Sequence, residues 1–302
     1  MGDLVLVIDE GTSSTRAMLV DGEGRSGAMA CRALTTQYPR PGWVEQDAEE
    51  IWRLTLAAAR EAVGEHASRV AAIGMTNQRE TIVFWDRSSG AALAPAIVWQ
   101  DRRTADTCDR LREAGHEPAV QATTGLLLDP YFSATKIGWA LEHWPALRAA
   151  GDRLCVGTIE SWLLFKLPGG LHVSDATNAS RTQLMDLRGG WDDGLCDVFG
   201  VPRAALPQII DCAGPIGTTL PEHFGRSIPI TGMAGDQQAA AIGQGCFASG
   251  ETKATFGTGA FILTHAGAEP PVSAHRLLST VAWQLGGERR YALEGSSFVA
   301  GQ

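Results

Sequence analysis

Four stretches of this 302-residue chain concentrate side chains able to handle phosphate or hydroxyl groups. The first is Asp9-Glu10-Gly11-Thr12-Ser13-Ser14-Thr15-Arg16, which sits between two apolar runs. Gly11 permits backbone close to a ligand, and four hydroxyls with successive N–H groups form a concavity suited to phosphate oxygens. Asp9 could hold Mg2+ through water, because Mg2+ keeps much of its hydration shell. Arg16 could meet a phosphate. Alone, the stretch reads equally well as an ordinary polar hairpin. A second Gly/Thr hairpin, Thr255-Phe256-Gly257-Thr258-Gly259, shifts the balance toward phosphate binding. Two such loops, one from each of two units, are what a nucleotide held in a cleft requires.

The other two stretches suit a hydroxyl-bearing acceptor. Thr76-Asn77-Gln78-Arg79-Glu80-Thr81 packs an amide pair, a guanidinium and a carboxylate side by side. Arg79 donates and Glu80 accepts, so together they can bracket neighbouring hydroxyls. Such a cluster is costly in a core, which leaves a solvated loop or a binding site. Gly235-Asp236-Gln237-Gln238 falls at a strand-to-helix junction after Ile228–Ile230. An alcohol is a very weak acid, so phosphoryl transfer to it needs a positioned carboxylate to accept the proton. Asp236 is the candidate, and its competing role is a helix N-cap. Trp99, ahead of Gln100-Asp101-Arg102, could wall the carbon face of a small polyol.

Other chemistries find less support. Gly22-Glu-Gly24-Arg-Ser-Gly27 fits G-x-G-x-x-G, with Asp47 about 20 positions on, but Pro39–Gly42 interrupts the helix-then-strand a dinucleotide fold needs. No G-x-x-x-x-G-K-[ST] occurs. A net charge of -9 argues against non-specific nucleic-acid or anionic-membrane binding. The opening MGDLVLVIDEG has no basic n-region and a short apolar run, so it reads as a strand rather than a signal peptide or spanning helix. Six scattered cysteines without C-x-x-C read as reduced cytoplasmic thiols. The sequon Asn178-Ala-Ser180 is set aside in a chain without export signals.

These residues need elements to hold them. Leu4–Asp9, Arg16–Asp21 and Ala28–Leu34 read as a β-meander. Asp47 with Glu50 resembles a capping box opening a helix over Asp47–Gly64, with Ile51, Leu54, Ala58 and Ala62 at helical spacing. Val70–Met75, Thr81–Trp85 and Ala96–Trp99 read as strands, and Arg102–Glu113 and Ser133–His143 as helices. The result is a mixed α/β layered domain. A boundary falls near Gly243–Gly250, giving units 1–245 and 246–302. The second holds the strands Glu251–Thr255, Ala260–Thr264, Val281–Gln284 and Tyr291–Glu294. Four short strands with no covering helix leave one sheet face without a partner, so this unit reads as incomplete.

With these stretches in hand, the chain resembles the glycerol-kinase branch of the FGGY carbohydrate kinases along its whole length. The resemblance is carried by ValIleAspGluGlyThrSerSerThrArg (7–16), ProGlyTrpValGluGlnAsp (41–47), IleGlyMetThrAsnGlnArgGluThr (73–81) and AlaIleValTrpGlnAspArgArgThr (96–104). It continues through AspProTyrPheSer (129–133), AspAlaThrAsnAlaSerArgThr (175–182), AlaGlyAspGlnGlnAla (234–239), PheGlyThrGly (256–259) and TyrAlaLeuGluGly (291–295), in family order. It implies an actin/hexokinase-like, RNase-H-like two-domain kinase fold, with the second domain incomplete here. It implies phosphorylation of glycerol to sn-glycerol 3-phosphate by Mg2+-ATP in the cytoplasm. Arg79, Glu80, Tyr131, Asp236 and Gln237 would hold the polyol, with Asp236 as base and Trp99 and Phe261 along its carbons. Thr12, Ser13, Ser14 and Arg16 would meet ATP phosphates, Thr258 and Gly301 would stand opposite, and Asp9 would organise Mg2+. Homo-oligomerisation is left open.

Two departures stand out. Glu10 occupies a position where the family usually has Gln, and a carboxylate beside the phosphates would repel them unless Mg2+ or Arg16 offsets it. Family members also continue for roughly another domain. Two competitors follow: a kinase for another small polyol or triose, and a catalytically inactive polyol-binding fragment.

Overall fold

The computed structural model describes residues 3–256 and 260–297. Strict alternation builds β1 (Leu4–Glu10), which buries Leu4, Leu6, Ile8 and Glu10 on one face and turns Val5, Val7 and Asp9 to the other. It pairs antiparallel with β2 (Ser14–Asp21), and β2 with β3 (Ala30–Ala33), completing the expected meander. After the short strands β4 (Thr36–Gln37) and β5 (Glu45–Gln46), helix α1 (Ala48–Val63) lays Ile51, Ala58, Ala59 and Val63 against the meander's buried face. Asp47 caps α1, its carboxylate accepting from the N–H groups of Glu49 and Glu50. The expected capping box is only half made. Glu50 turns instead to Thr35, whose N–H and hydroxyl offer it two donors alongside the first turn.

Strand β6 (Val70–Asn77) returns parallel to β1. The next strands, β7 (Ile82–Asp86), β8 (Ala96–Ile97) and β9 (Leu154–Thr158), join β4 and β5 in a second sheet of order β4-β5-β8-β7-β9. Helices α2 (Ala105–Glu113), α3 (Glu117–Thr124), α4 (Ser133–His143) and α5 (Pro145–Ala150) lie between β8 and β9 in the chain, and Val120, Ile137 and Leu147 from them pack with Phe84 and Val156. Helix α6 (Ile159–Lys166) joins the two sheets, burying Trp162 against Trp85 and the core beneath α1. Strand β10 (Val173–Asp175), helix α7 (Ala176–Ala179) and helix α8 (Asp193–Phe199) lead to β11 (Gln208–Ile210), parallel to β10. Then β12 (Ala213–Thr218), α9 (Pro221–Phe224), β13 (Pro229–Gly235) and α10 (Asp236–Gly243) complete the first sheet in the order β12-β13-β6-β1-β2-β3.

The three parallel strands β13, β6 and β1 finish level. Asn77 is in register with both Glu10 and Gly235. The chain leaving each strand therefore emerges along one edge, which is where open α/β sheets bind ligands.

Strands β14 (Thr252–Phe256), β15 (Ala260–Gly267), β16 (Leu278–Leu285) and β17 (Glu288–Ser297) form an antiparallel sheet of order β14-β15-β17-β16. Three of the four are longer than the sequence pattern indicated, and helices that precede them in the chain do reach this sheet. The Val281 N–H donates to Ser180 Oγ just past α7 at 3.2 Å, and Gln238 Nε2 on α10 donates to the Val281 carbonyl at 3.1 Å. The partner face comes from residues more than forty positions earlier, which local pattern does not reveal.

Candidate active site

The segments leaving β1, β6 and β13, together with residues after β8, before α4 and on β15, enclose a cavity of about 60 Å³ lined by Thr12, Gln78, Arg79, Glu80, Trp99, Tyr131, Asp236, Gln237 and Phe261. Arg79, Glu80, Trp99, Tyr131, Asp236, Gln237 and Phe261 are thus all brought together, although they span more than 180 positions of sequence. The aromatic residues form a wall: Trp99 meets Tyr131 edge-on at 5.7 Å and Phe261 at 6.4 Å between ring centroids. The Trp99 indole N–H donates to Thr12 Oγ1 at 2.8 Å, which ties that wall to the first hairpin.

The segment after β6 is not the solvated loop that its polarity allowed. Asn77, Gln78, Arg79, Glu80 and Thr81 are all buried. The Thr81 N–H donates to the Arg79 carbonyl at 2.8 Å, closing a three-residue turn about Glu80. Glu80 takes φ 62, a left-handed conformation that non-glycine residues adopt rarely and that tends to mark functional positions. The two charges are partnered. Arg79 forks onto Glu294 with two bonds of 2.8 Å, and Glu80 Oε1 accepts from Arg181 Nε at 2.6 Å. Burial pushes the Glu80 carboxyl up, against the pull of Arg79 and Arg181. Burial acts the same way on Glu294, but Arg181 and Arg79 outweigh it and hold that carboxyl down to about 2.

Asp236 is the first residue of α10, while Gly235 takes the capping position. Its carboxylate accepts from the Gln237 N–H at 2.8 Å, and its Oδ1 lies 3.2 Å from Arg79 Nε. With 42% of its side chain exposed, the acid sits at the cavity rather than tying down its helix from outside. Gly235 makes this possible. A Cβ there would come 2.7 Å from both Cγ and Cδ of Arg79. Lys253, buried on β14, donates to the Gln237 side chain and to Thr255 Oγ1.

In the first hairpin, Gly11 donates to the Ser14 carbonyl at 3.1 Å, and a Cβ at Gly11 would lie 3.1 Å from the same oxygen. Gln78 Nε2 holds the Gly11 carbonyl and Gln46 Nε2 the Thr12 carbonyl. Ser13 is exposed and Ser14 half-buried. Arg16 reaches across the strand pair to Asp9 Oδ2 at 3.1 Å. Burial raises the Asp9 carboxyl above its ordinary value against Arg16, and the nearby Asp236 charge adds to the rise. Among the described residues no group of three or more His, Cys, Asp or Glu could hold a metal ion by themselves. Mg2+ commonly takes one or two carboxylates, with waters and substrate phosphates completing its shell, so the chemistry of the Asp9 carboxylate beside the first hairpin fits such an ion.

Glu10 corrects an expectation. Strand alternation places it opposite Asp9, 0% exposed beneath α1, where the Thr55 hydroxyl meets its Oε2 at 2.5 Å. It faces the core and not the phosphate side. Thr15 is likewise buried, so three rather than four hydroxyls remain at the loop. Thr258 and Gly301 lie outside the described residues. Asn178 is buried and bonds Asn77 and Asp175, which leaves no room for a glycan. All six cysteines are free, and among the described residues no helix is long and apolar enough to cross a membrane.

Sequence reasoning gave no role to Arg181, Lys253 or Glu294. The available signal was a lone charge inside an otherwise apolar or hydroxyl-rich run, as in Tyr-Ala-Leu-Glu-Gly.

Residues 4–243 match the FGGY family of carbohydrate kinases, N-terminal domain. Over 100% of its length the chain is 54% identical to a glycerol kinase of Methylobacterium nodulans, of which it covers 61%. It superposes on the crystal structure of Plasmodium falciparum glycerol kinase with ADP at a TM-score of 0.93, with 34% identity, covering 98% of this chain and 62% of that one. It also superposes on a xylulose kinase from Rhodospirillum rubrum at a TM-score of 0.85 and 27% identity, with 97% of this chain and 60% of that one covered. The actin/hexokinase-like fold expected of the chain is therefore established. The chain spans about three fifths of the length of the curated relatives it matches.

Proposed function

Since the chain belongs to the FGGY family of carbohydrate kinases, we propose that it carries the polyol half of a glycerol kinase active site. The reaction is transfer of the γ-phosphoryl group of ATP to glycerol, giving sn-glycerol 3-phosphate and ADP. Residues 1–245 form the polyol-binding unit with the first phosphate loop, and 246–302 begin the second unit.

The observation that carries this reading is the cavity at the level ends of β1, β6 and β13. Its volume of about 60 Å³ is far below the ~300 Å³ at which sites for larger ligands begin, which favours a C3 polyol. Trp99 and Phe261 take the carbon side. Glu80 accepts from hydroxyls, while Tyr131, Gln237 and Arg79 complete the polar side. Asp236 takes the proton from the attacking hydroxyl as its oxygen bonds the γ-phosphorus and the bond to the ADP oxygen breaks. Thr12, Ser13, Ser14 and Arg16 receive phosphate oxygens. Asp9 would hold Mg2+, which when bound supplies charge neutralisation at the phosphates. Cytoplasmic location follows from the same reading.

A phosphorylation screen across C3–C5 polyols tests it. Glycerol should be the preferred acceptor, and preference for a C4 or C5 substrate overturns the glycerol assignment. Calorimetry separates binding from turnover: glycerol binding without ATP binding identifies the chain as a polyol-binding unit alone.

A further inference from the structure

Glu294 stands on β17, outside the cavity lining, yet it bonds Arg79, one of the residues that line the cavity. Arg79 has five N–H donors in a fixed fork. Its Nε faces Asp236 Oδ1 at 3.2 Å, one terminal nitrogen also reaches Gln238 Oε1 at 3.3 Å, and the other the Tyr131 hydroxyl at 3.4 Å. The pair to Glu294 is, unlike these, both bidentate and short, at 2.8 Å for each bond. Glu294 Oε1 also accepts from Arg181 NH2 at 3.4 Å, and Arg181 in turn holds Glu80. One carboxylate thus braces both polyol-facing charges, Arg79 directly and Glu80 through Arg181.

We propose that Glu294 is a positioning residue for the polyol pocket, by which the β14–β17 sheet shapes polyol recognition without touching the polyol. This rests on the polyol reading of the cavity. The physical reason lies in the charge balance. Glu80 and Glu294 offset Arg79 and Arg181 in a region from which all four are screened from water. Without Glu294 the buried positive charge is uncompensated, and Arg79 is drawn fully onto the remaining carboxylates, Asp236 and Glu80. Both are groups the polyol needs. A Gln at 294 fits the space, but its amide N–H2 confronts the N–H donors of the fork on one side.

The test is calorimetric titration of glycerol into the chain and into Glu294→Gln and Glu294→Asp variants, reading Kd and stoichiometry separately. Positioning predicts that E294Q weakens glycerol at least tenfold at unchanged stoichiometry. E294D, which keeps the charge but shortens the reach, should recover part of that loss. A purely structural role lowers the stoichiometry, as fewer molecules fold, and leaves the Kd of the rest within twofold; that result overturns the proposal. If E294Q does not fold, E294D alone is read, with at least threefold weakening expected and a Kd within twofold overturning it. A parent chain that binds no glycerol refutes the polyol reading itself, and the proposal with it.

Discussion

Replacing Glu10 by Gln should stabilise the protein, and should do so only toward alkaline pH. Glu10 is 0% exposed, and burial lifts its carboxyl from 4.5 to about 7 against the Thr55 and Thr15 hydroxyls, with the Asp9 charge adding to the rise. Below pH 4.5 the group is protonated in the folded and unfolded chains alike, and it costs nothing. Between 4.5 and 7 the folded chain keeps a proton that the unfolded chain releases, so stability falls as pH rises. Above 7 the penalty is complete, at about 3 kcal/mol for a rise of that size. The local geometry agrees. The Thr55 hydroxyl faces both Glu10 Oε2 at 2.5 Å and the Ile51 carbonyl at 2.7 Å, but has a single proton to give. A Gln amide, or a protonated carboxyl, can donate to Thr55 and leave its proton for Ile51. Urea unfolding of parent and E10Q at pH 5 and pH 8 decides the matter. The expected advantage of E10Q is under about 1 kcal/mol at pH 5 and about 3 kcal/mol at pH 8. Glu160, also lifted to about 7 by burial, gives both proteins a slope of the same sign that cancels in the difference. An equal advantage at the two pH values, or a loss at pH 8, refutes the reasoning.

On the proposed reading, Asp236→Asn should cut glycerol turnover by roughly 10²–10⁴-fold while glycerol binding stays within a few-fold, because the Asn amide keeps an accepting oxygen but cannot take the proton; steady-state kinetics with calorimetry checks this, and near-normal turnover removes the base assignment. Gly235→Ala should weaken glycerol binding and destabilise the chain by about 1–3 kcal/mol, since its Cβ would sit 2.7 Å from Arg79 Cγ and Cδ; denaturant melts and titration measure both. Asp47→Ala should cost about 1 kcal/mol through loss of the α1 cap, with glycerol affinity unchanged.

Most of the framework was legible in the sequence because it follows from local pattern. Alternation in Leu4–Glu10 and the helical spacing from Ile51 to Ala62 depend on neighbours a few positions apart, and both elements form where the pattern puts them. The covering of the β14–β17 sheet was not legible, since it comes from Ser180 and Gln238, far back in the chain. Glu10 illustrates the same boundary at the site. Its neighbours in sequence suggested a repulsive charge beside the phosphates, yet the period-two alternation of β1 sends consecutive side chains to opposite faces. Applied to this strand, that rule would have placed Glu10 beneath α1.

Arg79 and Glu80 show why a site's chemistry can be named from sequence while its burial cannot. Two charges side by side cost too much in a core if each must be solvated by its neighbours in sequence, so a surface loop was a fair alternative. What permits their burial is a second pair of opposite charges, Arg181 about one hundred residues on and Glu294 more than two hundred on. Their separation in sequence is irrelevant once β6, α7 and β17 meet. On the proposed polyol reading, a site that presents a guanidinium and a carboxylate to an uncharged ligand faces one difficulty above all, that the two would rather pair with each other. Here Arg79 Nε and Glu80 Oε1 stay 3.9 Å apart, while each makes a shorter bond to a partner outside the cavity. The outer pair therefore keeps the inner pair apart and available, and this division of labour is something no single stretch of the sequence contains.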